Sequence, residues 1–196
     1  MRYSSDHKAE TRARVLREAS REVRIKGPDH IAVAGIMKRV GLTHGGFYSH
    51  FQSKEALVIE AIDAMFADAL QLSHAIEFRR KPRAALLGYI DIYLSVAHRD
   101  ARERGCPMPA LAGDLARATS PARDRFAAGV AVVTERLSAA VAALGLENPD
   151  AEASAILSQM VGAVALARAV DGPASDAVLE NARSSLIARY ELVQTS

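Results

Sequence analysis

Three places in this chain carry side chains whose types and spacing could do chemistry. At Ser53-Lys54-Glu55 a lysine opens a helical run directly after a serine. Its ammonium and the free N–H groups of the first turn together make an anion site of the kind a phosphate oxygen can occupy. At Thr43-His44-Gly45-Gly46 four small or polar residues stand where a short helix begins. Two adjacent glycines cost such a helix roughly 1 kcal/mol each relative to alanine, which points to a need for close approach by something outside. At Arg102-Glu103-Arg104-Gly105-Cys106-Pro107 a lone thiol follows two arginines and opens another helix, a setting that favours a reactive thiolate, although an inert buried packing cysteine is the preferred reading of the same residue. None of these is a catalytic constellation. The sequence has no His-Glu-x-x-His, no paired-cysteine motif, no phosphate loop and no Gly-x-Ser-x-Gly elbow, so no enzymatic activity, metal or cofactor is expected.

The charge distribution agrees with anion binding at one end. The whole chain of 196 residues carries a formal net charge of only +2. Residues 1–54 hold 11 lysines and arginines against 5 acids, a net of +6, leaving the remainder at −4. A basic head on a mildly acidic body suits a polyanion partner, and a solvated basic face with no partner would read the same way. The hydrophobic share of 49% is ample for a globular core. The single cysteine excludes an intrachain disulfide and fits a reducing compartment. The N-terminal segment is polar, and no stretch is read as reaching the roughly 18 apolar residues of a membrane span, so a cytoplasmic protein without a membrane partner is expected.

Apolar residues recur at three- and four-residue spacing almost throughout, and strand-like alternation is rare, so the fold is predicted to be all-α with about nine helices. A first helix is expected from about Asp6 to Lys26, capped by Ser5 or Asp6 and stopped by Gly27-Pro28. Short helices follow at 33–40 and 44–50, the latter capped by Thr43. A fourth begins near Lys54, capped by Ser53, and runs to about Leu70. After a break at Arg79-Arg80-Lys81-Pro82, helices are expected at 83–98, 108–118, 121–144, 149–170 and 174–192, bounded by Gly and Pro.

Within Ile36 to Leu57 the layout is that of a helix-turn-helix. Ile36 and Val40 face the core, Gly41 permits the turn, Leu42 packs between the helices, and Phe47 and Phe51 turn inward. The small, polar start at Thr43, His44, Gly45 and Gly46 would let the second helix approach a major groove. The run Tyr48-Ser-His50-Phe51-Gln-Ser-Lys54-Glu55, following Gly41-Leu42-Thr43, resembles the DNA-binding signature of the tetracycline-repressor (TetR) family over about 50 residues.

The resemblance implies domains at 1–54, a three-helix DNA-binding head, and 55–196, a helical bundle for effector binding and dimerisation. It implies that Thr43, His44 and Gly46 approach bases or nearby phosphates, that Tyr48 and His50 hold the sugar-phosphate backbone, and that Lys54 contacts a phosphate. It also implies an effector pocket from residues on inward helix faces: Met65, Phe66, Tyr89, Ile90, Tyr93, Cys106, Met108, Phe126 and Met160, with Tyr89, Tyr93 and Gln159 as its polar groups. Two positions depart from the family pattern. Ile31 and Ala32 stand where a Thr or Ser often caps the second helix, leaving Asp29 or no cap, and Gly35 replaces an acidic or polar residue.

The composition of the last two helices supports the expectation of a dimer. Gln159 to Ala167 is apolar nearly all round and rich in small residues, while Val178, Leu179, Leu186, Ile187 and Tyr190 recur at helical spacing. The expected function is therefore a homodimeric repressor on a palindromic double-stranded DNA operator, released by a small-molecule effector. Two alternatives stand beside it: a thiol-based sensor of oxidants or electrophiles using Cys106, and an effector-free architectural DNA-binding protein.

Overall fold

The computed structural model describes residues 2–74 and 81–192, so Arg79 and Arg80 of the predicted break lie outside the described residues. The helices are α1 (Arg2–Lys26), α2 (Val33–Arg39), a short 3-10 helix η1 (His44–Ser49), α3 (Lys54–His74), α4 (Pro82–Tyr93), α5 (Val96–Asp100), α6 (Met108–Leu115), α7 (Ser120–Ala143), α8 (Pro149–Ala169) and α9 (Gly172–Arg189). No strand occurs among the described residues. Proline occupies the first turn of α4, α6, α7, α8 and α9, where its missing N–H would have had no helical partner.

The head packs α1, α2 and η1 around Val15, Ala19, Val23, Ile36, Met37, Phe47 and Phe51, all buried. The turn between α2 and η1 closes as expected. Gly41 sits at φ +76°, and the N–H groups of Gly41 and Leu42 bond Lys38 O and Met37 O at 3.1 and 2.9 Å, the paired bonds of a Schellman end that needs a left-handed residue at this position. The body is a bundle in which α7 lies between α3 and α8, and α8 packs on α9. Helix α3 belongs to both parts, following η1 in the chain and running along α1 and α7.

Several expectations are corrected. Helix α1 starts at Arg2 rather than Asp6, so Ser5 and Asp6 lie inside it rather than at its cap. The Thr43 side chain makes no cap bond, and η1 winds as a short 3-10 helix, its two adjacent glycines disfavouring a regular α-helix. Helix α2 begins after Ala32 with no side-chain cap, so Asp29 does not supply one. The predicted helix at 83–98 is split at Ser95, whose hydroxyl bonds Ile92 O at 2.8 Å and accepts from His98 N–H at 3.1 Å, ending one helix and capping the next. The Ser53 cap is present, accepting from Ala56 N–H at 3.0 Å. Finally, α7 contains an 18-residue window within Pro121–Ala143 of mean hydropathy 1.5, long and apolar enough by composition to cross a membrane, contrary to the expectation. Valine and alanine supply most of that apolarity, and the helix is a packing partner of α3 and α8 in this fold.

Candidate nucleic-acid interface

Two arginines of α1 hold the helix-turn-helix in place. Arg14 donates to Val40 O at 2.7 Å, at the C-terminal end of α2, and Arg12 donates to His50 O at 3.3 Å, at the C-terminal end of η1. Each places a cation where helix carbonyls lack partners. Arg12 also lies 4.6 Å over the Phe51 ring and pairs with Glu60 of α3, tying all three elements together. Sequence reasoning missed this pair, for which the only signal was two arginines one residue apart on a helix otherwise read by its apolar stripe.

On this frame Thr43, His44, Gly45 and Tyr48 all face outward. Tyr48 is 67% exposed, large for an aromatic side chain, and is steadied by edge-on contacts with Phe47 at 5.2 Å and His44 at 6.3 Å between ring centres. A Cβ at Gly45 would meet nothing within 4 Å, and one at Gly46 only ordinary contacts. No internal crowding requires glycine at either position. Gly35 is similar, its nearest neighbour an Arg39 nitrogen at 3.6 Å from a built Cβ.

The remaining two residues are more engaged than expected. The Lys54 ammonium donates to Asp29 O at 2.6 Å, linking the start of α3 to the α1–α2 loop, and keeps two further donors. His50 is half-buried, and its Nδ1 is buried without a hydrogen-bond partner among the described residues. Burial, with Lys8 and Arg12 nearby, pushes its pKa down, so the ring is neutral at pH 7. Part of the head's positive charge is likewise used internally: Arg39 pairs with Glu18 and with Glu22 at 2.9 Å, and Lys26 with Glu22 at 3.0 Å.

The residues expected to line an effector pocket belong to, or pack against, one continuous core. Met65, Ile90 and Met160 have no exposed surface, Phe66, Tyr93, Cys106 and Met108 are buried, and Tyr89 and Phe126 are half-buried. Two ring pairs organise them, Phe66 with Phe126 at 5.6 Å and Tyr89 with Tyr93 at 5.9 Å. The Tyr93 hydroxyl is buried beside the Cys106 thiol without a well-aligned hydrogen bond, and burial raises its pKa. Gln159 is turned to α9, donating to Ala182 O at 3.3 Å.

Around Cys106 the backbone is held from two sides. Arg24 of α1 donates to Gly105 O at 2.9 Å, while Cys106 N–H donates to His98 Nε2 at 3.1 Å. His98 therefore carries its proton on Nδ1, which lies 2.6 Å from Tyr93 O. The two arginines expected to activate the thiol, Arg102 and Arg104, give way to Arg24 and Arg168 as the nearby cations. Burial outweighs their effect and that of the Tyr93 hydroxyl, so the thiol pKa is raised rather than lowered.

A helix-turn-helix clamped by its first helix and mounted on an all-helical body defines the class of helix-turn-helix regulatory proteins. Residues 15–61 match the family of bacterial regulatory proteins called the tetR family. The uncharacterized HTH-type transcriptional regulator YdgC of Bacillus subtilis (strain 168) is 34% identical over 67 residues, 34% of each chain, so the match spans about a third of that relative's length. A TetR transcriptional regulator from Chloroflexus aurantiacus J-10-FL is 26% identical with a TM-score of 0.82, covering 95% of this chain and 96% of its own. A TetR-family regulator from Agrobacterium tumefaciens shares the fold at 20% identity and a TM-score of 0.77, covering 91% and 98%.

Proposed function

We propose that this chain is a cytoplasmic, homodimeric transcriptional repressor that binds a palindromic DNA operator and is released by a small organic effector, acting without catalysis, metal or cofactor. The observation that carries the reading is the outward edge of η1. Thr43, His44, Gly45 and Tyr48 are exposed together, and Gly45 has no internal reason to lack a side chain. A bare backbone beside polar groups suits approach to base edges in a major groove. Tyr48, His50 and Lys54 would then take the flanking phosphates, with Lys54 adding charge at the N-terminus of α3.

A second copy is supported by α8. Leu166 is 60% exposed and Val170 40%, beside half-buried Val161, Gly162 and Ala165, and apolar surface of this kind is covered when two copies pair. The effector would enter among Met65, Phe66, Tyr89, Tyr93, Cys106, Met108, Phe126 and Met160, displacing part of their packing. Because α3 carries Lys54 at one end and Met65 and Phe66 within the body, a shift along it changes the spacing of two recognition edges and weakens operator binding by linkage. For Cys106 we favour packing over oxidant sensing, since a buried thiol with a raised pKa is a poor nucleophile.

The experiment is a gel-shift titration of the purified protein on fragments upstream of its own gene at two salt concentrations. Selective, saturable binding to one fragment is expected. Salt-sensitive binding without selectivity would establish the architectural alternative instead.

A further inference from the structure

Helix α1 presents Arg14, Arg17, Arg21 and Arg24 at spacings of three, four and three residues, one above another on a single face. Stacked like charges weaken a helix unless something neutralises them. This face looks into a cleft of about 680 Å³ between the head and the body, closed on its far side by Glu103 and Arg104 of the α5–α6 loop and by Asp68 of α3. Arg39 also borders it, and Ala13, Leu16, Val40 and Ala64 give it an apolar floor.

Six arginines therefore face three carboxylates, those of Glu18, Asp68 and Glu103, a surplus of three positive charges. The pairing is partial. Arg21 meets Glu103 at 2.6 Å across the cleft, and Arg39 meets Glu18 and, at 2.9 Å, Glu22, which stands outside the cleft lining. Arg14 is tied to a backbone carbonyl. Arg17 and Arg104 are exposed and make no ion pair among the described residues. Deepest is Arg24, whose side chain is 3% exposed while its counter-ion Asp68 stands at 3.5 Å and is 64% exposed. Desolvation dominates at Arg24 and lowers its pKa in spite of Asp68, as expected for a guanidinium whose charge is incompletely answered.

We propose that this cleft is a second ligand site, taking a small organic anion with two or more negative charges, a polycarboxylate or a phosphate ester. The anion would bridge Arg17 and Arg21 on α1 to Arg104 on the loop, with any carbon skeleton against Leu16 and Ala64. Planar, multidentate guanidinium groups suit both oxyanion classes. Such a ligand would join the head to the loop that carries Gly105 and Cys106, and so bias how the head sits on the body. The site's existence does not depend on the operator reading.

Titration calorimetry of the full chain without DNA tests it, using citrate and inorganic pyrophosphate as probes and sodium chloride at matched ionic strength as control. Saturable binding of one probe or both is expected, and which one binds assigns carboxylate or phosphate. The double variant R17A/R104A should weaken that binding at least about tenfold, the loss of roughly one charge-assisted contact. E103Q, which frees Arg21 and removes one acid, should tighten it. Both alterations are at exposed or half-exposed side chains, and an unchanged circular dichroism spectrum and melting temperature in plain buffer verifies folding. Heats that merely follow ionic strength, or saturation that is the same in R17A/R104A, would overturn the proposal while leaving operator binding untouched.

Discussion

The ring of Phe66 fills the space that a side chain at Gly129 would occupy: a Cβ built at Gly129 would lie 2.3 Å from Phe66 Cδ2. This contact joins α3, the helix shared by head and body, to α7, and Phe126 backs the ring edge-on from the same helix. Glycine is required here by close approach rather than by backbone conformation.

Gly129→Ala should therefore destabilise the protein by about 1–3 kcal/mol through overpacking, even though alanine is the better helix former. Gly113→Ala, on an exposed position of α6 where a Cβ meets nothing within 4 Å, should instead be neutral or stabilising by up to about 1 kcal/mol. Urea denaturation of the two variants separates them. Equal midpoints would show that Phe66 yields at no cost.

His98 makes stability depend on pH. Its ring is neutral in the fold, accepting from Cys106 N–H, and burial pushes its pKa below the ordinary 6.5. The unfolded chain therefore binds the proton more readily. The stabilisation is complete above about pH 6.5 and is lost as pH falls from there through the folded-state pKa. The Arg168 guanidinium adds to the depression, while the bond to Tyr93 O opposes it. Melting temperature should fall between pH 7.5 and 5.5, and His98→Gln should flatten part of that slope. His50 titrates with the same sign, so a residual slope in the variant is expected.

Lys54→Ala should weaken binding to every DNA fragment and reduce the slope of log affinity against log salt by about 1, because one phosphate contact is removed. Tyr48→Ala should lower operator affinity with stability changed by no more than about 0.5 kcal/mol, since the ring is mostly in water. Affinity that survives both changes would move the interface away from η1.

Leu166→Glu places a charge on the exposed strip of α8 and should shift the protein from dimer to monomer in sedimentation equilibrium. A monomeric parent protein would remove the need for a partner on this face.

Cys106 should react with N-ethylmaleimide at least about a hundredfold more slowly in the native protein than in denaturant, because modification requires an opening of the 105–108 turn. Cys106→Ala should leave operator affinity unchanged before and after peroxide. Rapid native labelling would restore the thiol-sensor reading.

The helical class, the order of the helices and the helix-turn-helix were legible in the residues themselves, because apolar spacing, glycine stops and proline starts are local signals. Gly41 is the plainest case, where a turn needs a left-handed residue and glycine supplies it. The seven residues proposed to contact DNA come from one motif because they lie within a dozen positions. Tertiary structure decided what those signals could not reach. Arg12 and Arg14 are ordinary helix residues until Val40 O and His50 O come to them from 26 and 38 positions away. Arginines beside Cys106 in sequence suggested an activated thiol, yet burial by distant elements reversed the direction of its pKa. Short-range periodicity belongs to the chain, whereas desolvation and charge pairing are sums over neighbours that exist only once the helices have packed.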